Sequence, residues 1–341
     1  GAILTFQESR RITEINSELR KELYQRGLVA RYRFDRLPVV DAEMKKIVSR
    51  AKQFARFSAP ILIKGERGTG NKILAQCLHN ESLARANAFV DVDCAAFPSE
   101  ILDTMLFGNY STRADSPAGL AEAAQNGTLY LGHVEALSPE LQYKVLQLLH
   151  GKLLRNGASY PVASEVRIIA STTTNLISGV EHGTFRNDLY YALNVISLEL
   201  PPLRRRREDI LPWTEFYLNE AQEHYKRYIT LTQGARDYLH DYDWPGNLDQ
   251  LHSICERTVL TAERRSVDEV FLRRELEQLE PRIAPETQQV VLVKDPKALQ
   301  LADLLKKYHG DRQKVADELG ISKTTLWRYM KKYGIGQDFF C

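Results

Sequence analysis

The chain has 341 residues, with 46 Lys and Arg against 44 Asp and Glu, so its overall charge names no partner and only the distribution of charge can. That length accommodates two or three domains of ordinary size. No apolar run approaches the ~18 residues of a membrane span, no signal-peptide pattern opens the chain, and the cysteines Cys77, Cys94, Cys255 and Cys341 lack CxxC spacing, which excludes a disulfide framework and predicts buried, reduced thiols in a cytosolic protein.

Residues 1–31 are polar and charged, with Ile12, Ile15, Leu19 and Leu23 at helical spacing. They predict an amphipathic linker, packing or signalling helix. The opening Gly-Ala in place of Met leads us to expect further domains upstream. From about Tyr32 to Leu200, short β-rich runs alternate with helical stretches: Pro60–Lys64, Ala88–Val92, Gly127–Leu131, Val166–Ser171 and Val195–Leu200. Strands alternating with helices predict an α/β fold with a parallel, doubly wound sheet. In the helix after the third strand, Ser138 is the expected N-cap and Pro139 the first helical residue. Residues 204–280 read as a small all-α subdomain broken at the turn "DWPGN" (Asp243–Asn247). The expected division is 1–32 linker helix, 33–200 α/β subdomain, 201–280 helical lid, 281–295 linker, and 296–341 a compact helical unit.

The segment "KGERGTGNK" (Lys64–Lys72) follows the first strand and opens a helix. Glycines there let backbone N–H groups turn inward, and a helix N-terminus adds partial positive charge, so such a loop can cradle phosphates. A full P-loop reads GxxxxGK[ST]. Gly65 and Gly70 have that spacing, with Gly68 and Thr69 between them, but the lysine position holds Asn71 and Lys72 comes one place late. A one-residue shift rotates a helical side chain by ~100°, so Lys72 should point away from the phosphates. The loop is either a degenerate nucleotide site or a tight strand–helix turn kept for folding.

The last stretch carries helix signals in quick succession. Asp295 and Pro296 open one helix and Gly310 ends it. Asp311 opens a second, Arg312–Leu319, closed by Gly320, and Ser322 opens a third, Lys323–Tyr333, closed by Gly334. The short turn "GIS" between the last two fits a helix-turn-helix, with Val315, Ala316, Leu319, Ile321 and Leu326 as its core. The third helix presents positive charge and short donors, which suits entry into a DNA major groove.

The segments "GERGTG", "LFGNY", "NGTLYL", "VRIIAST", "GTFRNDLYYALNVISLELPPLRRRREDI" and "YDWPGNLDQL" occur in one order over roughly residues 33–280. In that order they resemble bacterial enhancer-binding proteins, the AAA+ activators of sigma-54 RNA polymerase. "ELYQRGLVARYRFDRL" (Glu22–Leu37) is most similar to the propionate-catabolism regulator branch. The resemblance implies an AAA+ P-loop domain with a helical lid, then a Fis-type helix-turn-helix. It makes Lys323, Thr325 and Arg328 the expected DNA contacts, with Ser322 and Lys332 on backbone phosphates. It further implies a dimer through Leu299, Leu301, Leu304 and Leu305 on a pseudo-palindromic operator, or a higher homo-oligomer. RNA polymerase is the expected protein partner, and the expected location is the bacterial cytoplasm, at the nucleoid.

The chemistry positions depart from the family pattern. The phosphate lysine is Asn71, the Asp-Glu pair after the third strand is Gly132 and His133, and the polar sensor is Thr173. Of the arginines that reach a neighbour's γ-phosphate, Arg186 is kept and the second is Ala192, while the lid arginine is Asp249. Loss of a single transition-state contact costs ~10²-fold or more, so a pseudo-ATPase is expected, with no catalytic residue and no metal site. The sigma-54 loop corresponds to Asn109–Ala123, which lacks the family's GAFTGA motif and is shorter. Action without sigma-54 remodelling is therefore expected. The run Arg204–Arg207 reads as a solvated loop paired with Glu208 and Asp209. Two alternatives stay open. One is a sensor of a nucleotide or cyclic dinucleotide at residues 65–72, by similarity to degenerate family members. The other is an active ATPase rearranged around Lys72, His133 and Arg186.

Overall fold

The structure is a computed structural model that describes residues 27–109, 118–279, 304, 308, 312–321 and 326. The chain divides into two compact units at Leu276–Glu277. In the larger unit, helix α1 (Ala42–Ala55) leads to β1 (Ile61–Lys64) and α2 (Asn71–Glu81). Then come β2 (Phe89–Asp93), α3 (Ser99–Phe107), α4 (Leu120–Ala123), β3 (Thr128–Gly132) and α5 (Pro139–Leu149). The short pair β4 (Lys152–Leu153) and β5 (Val162–Ala163) is antiparallel. It is followed by β6 (Arg167–Thr172), α6 (Leu176–Glu181), α7 (Asn187–Leu193) and β7 (Ile196–Glu199).

The five long strands form one parallel sheet in the order β2-β3-β6-β1-β7. All five runs foreseen from apolar composition are strands of that sheet. Strands β3 and β6 are buried along their whole length, as a sheet covered on both faces requires. One face packs Leu62, Val90, Leu129, Leu131 and Ile168 under α3 to α7. The other packs Ile61, Ile63, Phe89, Tyr130 and Ile169 under α1 and α2. Ser138 caps α5 by accepting from the Leu141 N–H at 3.4 Å. Cys77, Cys94 and Cys255 are free and buried, and burial pushes the Cys94 thiol up to about 12.

The amphipathic helix expected over residues 1–31 lies mostly outside the described residues, and 27–31 are a turn followed by irregular chain rather than helix. The reason is local pairing. The Leu28 carbonyl accepts from Phe89 N at 3.0 Å, and Gln76 Oε1 accepts from the N–H groups of Arg31 and Tyr32. Residues 28–32 thus edge the α/β core.

The helical subdomain contains α8 (Ile210–Tyr225), α9 (Gln233–Asp241), α10 (Asn247–Thr261) and α11 (Glu269–Leu279), with a two-stranded parallel pair β8 (Thr230–Leu231) and β9 (Ser266–Val267). Trp213 and Trp244 fill its centre. The Trp244 indole N–H donates to the Leu239 carbonyl at 2.9 Å, which satisfies its polar edge.

In the C-terminal unit, α12 (Arg312–Glu318) ends at Gly320, whose φ is +63°. The Ile321 N–H reaches the Ala316 carbonyl and the Gly320 N–H reaches Asp317, a left-handed cap that favours glycine. Val315, Ala316 and Leu326 form the core, with Leu304, Tyr308, Leu319 and Ile321 against it. That core matches the sequence reading of a tight helix crossing.

Candidate functional site

The glycine loop leaves β1 and enters α2 with Gly70 as N-cap and Asn71 as first helical residue. Gly68 has φ +77°, and a Cβ there would lie 2.4 Å from the Gly246 carbonyl of the lid, so only glycine fits. Thr69 is buried. Its hydroxyl donates to the Glu66 carbonyl at 2.7 Å and to Asn71 Oδ1 at 3.3 Å. Asn71 Nδ2 donates back to the Gly65 carbonyl at 3.4 Å. Side chains of the loop therefore occupy one another. Lys72 forms an ion pair with Asp91 of β2, directed along the sheet and away from the loop, as its displaced position predicts.

The lid sits directly on this loop. The Leu248 N–H donates to the Gly68 carbonyl at 2.8 Å, and Asn247 Nδ2 donates to the Arg67 carbonyl at 2.9 Å. Asp249, at the position of the family's lid arginine, lies 3.3 Å from where a Gly68 Cβ would be. An acidic side chain thus stands beside the glycine loop.

The run Arg204–Arg207 departs from the expected solvated loop. Arg204 makes a two-pronged bond with Glu66, at 2.6 and 2.7 Å, and this holds the Glu66 carboxyl below its ordinary range. Arg207 pairs with Asp243 and with carbonyls of His240 and Asp241. Arg206 is fully buried and donates to the Thr69 carbonyl at 2.6 Å, with Asp209 at 3.8 Å. Asp209 in turn accepts from the N–H groups of Val40 and Asp41. Of the acids expected as partners, only Asp209 is one. The others are distant in sequence, which is why the run looked solvated.

At the end of β3, Gly132 is buried in the sheet beside Asp93. A Cβ there would meet only ordinary contacts, the nearest being Tyr130 at 3.6 Å, so space does not dictate glycine. His133 is left-handed, with φ 53°, and its Nδ1 bonds Asp93 at 2.8 Å. Partial burial pushes the Asp93 carboxyl up, but the Ala95 N–H and the His133 ring outweigh it and hold it low. Glu135 Oε1 accepts from both the backbone N–H and the hydroxyl of Thr173, at 3.1 and 2.8 Å. Thr173 is thereby tied to a carboxylate 38 residues away in sequence. Asn175 caps α6. Arg186 is exposed and forms a two-pronged bond with Asp188.

Among the described residues, no group of three or more His, Cys, Asp and Glu side chains is placed to hold a metal ion. No described helix is long and apolar enough to cross a membrane. The DNA contacts expected from the sequence, Ser322, Lys323, Thr325, Arg328 and Lys332, lie outside the described residues, as do positions 110–117 of the segment expected to correspond to the sigma-54 loop and most of the first tail helix.

Family models match three successive segments: a sigma-54 interaction domain over 38–199, an AAA+ ATPase lid domain over 204–289, and a bacterial regulatory protein of the Fis family over 300–333. The chain is 31% identical over 312 residues to the HTH-type transcriptional regulatory protein TyrR of Enterobacter agglomerans, covering 89% of this chain and 60% of that protein. It is 39% identical over 232 residues to an uncharacterized protein in the HyuA 5' region of Pseudomonas sp. (strain NS671), covering 66% of this chain and 78% of the other. It is 34% identical over 267 residues to the Nif-specific regulatory protein of Azotobacter vinelandii, covering 76% and 50%. The chain thus spans half to three fifths of the length of its TyrR and Nif relatives. The solved structure of NtrX from Brucella abortus in complex with ADP superposes with a TM-score of 0.66 at 28% identity, covering 98% of this chain and 76% of NtrX. With the parallel sheet, the lid seated on the glycine loop and the three matched segments in order, the chain belongs to the AAA+ enhancer-binding proteins, the sigma-54 activator family.

Proposed function

We propose that this chain is a DNA-binding transcription regulator whose AAA+ module is a scaffold that does not hydrolyse ATP. The observation that carries this reading is the replacement, in one site, of the phosphate lysine by Asn71, of the Asp-Glu pair by Gly132 and His133 and of the lid arginine by Asp249, although Arg186 is kept. Asn71 bonds within its own loop, Gly132 offers no ligand and His133 is engaged by Asp93. Asp249 sets a negative charge against Gly68. Phosphoryl transfer depends on charge neutralisation and positioning, and the protein supplies little else. The residues present do not fit a magnesium-bound nucleotide, so no catalytic step is assigned to them.

In this reading the Fis-type tail binds duplex DNA as a homodimer on a pseudo-palindromic site, and the module contacts RNA polymerase without remodelling sigma-54. The sequence of Asn109–Ala123, which lacks the family's loop motif, supports the last point. Calorimetric titration with ATP, with and without magnesium, tests the site. The reading predicts no gain in ATP affinity from magnesium, because Gly132 and His133 put no carboxylate at the two positions where the family carries its Asp-Glu pair. A magnesium-dependent gain that disappears in His133→Ala contradicts it. Titration with cyclic dinucleotides separates the sensor alternative, which predicts saturable heat lost in Gly68→Ala.

A further inference from the structure

We propose that the solvent face of α1 is a second duplex-DNA contact, a phosphate grip on the AAA+ module separate from the helix-turn-helix. Lys45, Lys46, Arg50, Lys52 and Arg56 lie on or just past α1 and all are exposed. At ~100° per residue they share one broad arc, opposite the buried Met44, Ala51 and Ala55. Among the described residues none of the five forms an ion pair. Asp35 on the preceding turn is paired with Arg33, Asp41 caps the helix by accepting from the Met44 N–H, and Lys52 lies over the Phe34 ring, 5.6 Å from its centre. Glu43 is the one acid within the helix.

Fold stability does not account for this pattern. The chain as a whole is nearly charge-balanced, with 46 basic and 44 acidic residues, so five cations against two acids, Asp41 and Glu43, over residues 41–56 is a local segregation. Lys46–Arg50 and Lys52–Arg56 are like-charge pairs at i,i+4, which weaken a helix. Lys45 closes the first turn, where the helix dipole disfavours a cation. A surface that costs helix stability and leaves its cations unneutralised is complementary to a polyanion. The polyanion this chain meets is duplex DNA, since a Fis-family segment matches over 300–333; the proposal rests on the DNA-binding reading above. Lys and Arg on one ridge bind the backbone without reading sequence, so the face adds affinity and salt dependence.

The test is fluorescence anisotropy of the full chain on a mixed-sequence duplex several helical turns long, across a salt series. The variant carries Lys45→Gln, Lys46→Gln, Arg50→Gln, Lys52→Gln and Arg56→Gln. Each lost phosphate contact removes about 0.9 from the slope of log affinity against log salt. The expected result is a slope shallower by roughly 2–4 and at least ~10-fold weaker binding at low salt. The charge-conserving variant with Lys45→Arg, Lys46→Arg and Lys52→Arg keeps both, and melting confirms that each variant folds. An unchanged slope and affinity in the glutamine variant overturns the proposal. So does loss of binding to phosphatidylserine vesicles with duplex binding intact, which assigns the face to a membrane. The tail variant Arg328→Ala, run in parallel, separates the two readings. If it weakens duplex binding while the α1 variant does not, the tail reading stands and the α1 grip fails. The reverse result keeps the grip and removes Arg328.

Discussion

Replacing Arg206 by Met is expected to destabilise the larger unit by about 3–5 kcal/mol, the usual cost of removing one partner from a buried ion pair. Arg206 is 1% exposed and Asp209 fully buried. The arginine holds the Thr69 carbonyl at 2.6 Å and faces Asp209 at 3.8 Å, so its loss strands an acceptor of the glycine loop and a carboxylate together. Asp209 keeps only the N–H groups of Val40 and Asp41, at 2.6 and 2.8 Å. Burial already raises the Asp209 carboxyl above its ordinary value, and removal of the neighbouring cation raises it further. A carboxyl raised in the folded state keeps its stabilising contribution below its unfolded value of ~3.9 and loses it as pH rises through the folded value. The deficit of Arg206→Met is therefore largest at neutral pH and shrinks on acidification. Urea unfolding followed by circular dichroism, at neutral and mildly acidic pH, measures it. Adding Asp209→Asn should recover a substantial part of the loss, because no charge is then left buried. A loss below ~1 kcal/mol, or strictly additive single variants, refutes the inference that this pair pins loop, lid and α1 together.

Acid sensitivity, the tail core and base reading each give a further prediction. His79 is buried against Thr128, and burial followed by the Arg167 charge lowers it from 6.5 to about 4. A histidine depressed on folding costs stability as pH falls from the unfolded value toward the folded one, here roughly 3 kcal/mol. Unfolding curves of His79→Gln should lack that component, and an identical acid slope contradicts it. Ala316 is 1% exposed between Val315 and Leu326, so Ala316→Leu should overpack the crossing by about 1–3 kcal/mol. Hydrogen exchange across Arg312–Glu318 would register it, and unchanged protection speaks against the tight crossing. Arg328→Ala should weaken specific duplex binding by ~1–3 kcal/mol if the side chain pairs with a base; equal affinity removes it from the base-reading set.

The sheet was legible because each strand is a short apolar run beside turn signals, and β3 and β6, buried throughout, give the strongest runs. The glycine loop was legible for the same reason of spacing, and the displaced direction of Lys72 followed from helix geometry alone. What sequence spacing missed are pairings across long separations. Arg206 reads as one of four adjacent arginines, yet it is fully buried under Thr69, 137 residues away. The bond between Glu135 and Thr173 has no local signal either, since the end of β6 brings Thr173 to it across 38 residues. Residues 28–31 carry the end of a polar, helix-like pattern, but the Phe89 N–H of β2 donates to the Leu28 carbonyl and draws this stretch to the sheet instead. A solvated run and a buried one differ only in what the fold places opposite them.

Phosphate release from ATP, at saturating magnesium and in the presence of duplex DNA, decides whether the module is an enzyme. With Asn71, Gly132, His133 and Asp249 in place, the expected release from the full chain equals the protein-free background and is unaltered by Lys72→Ala. Turnover above background that is abolished by Lys72→Ala contradicts the reading of this site as a scaffold.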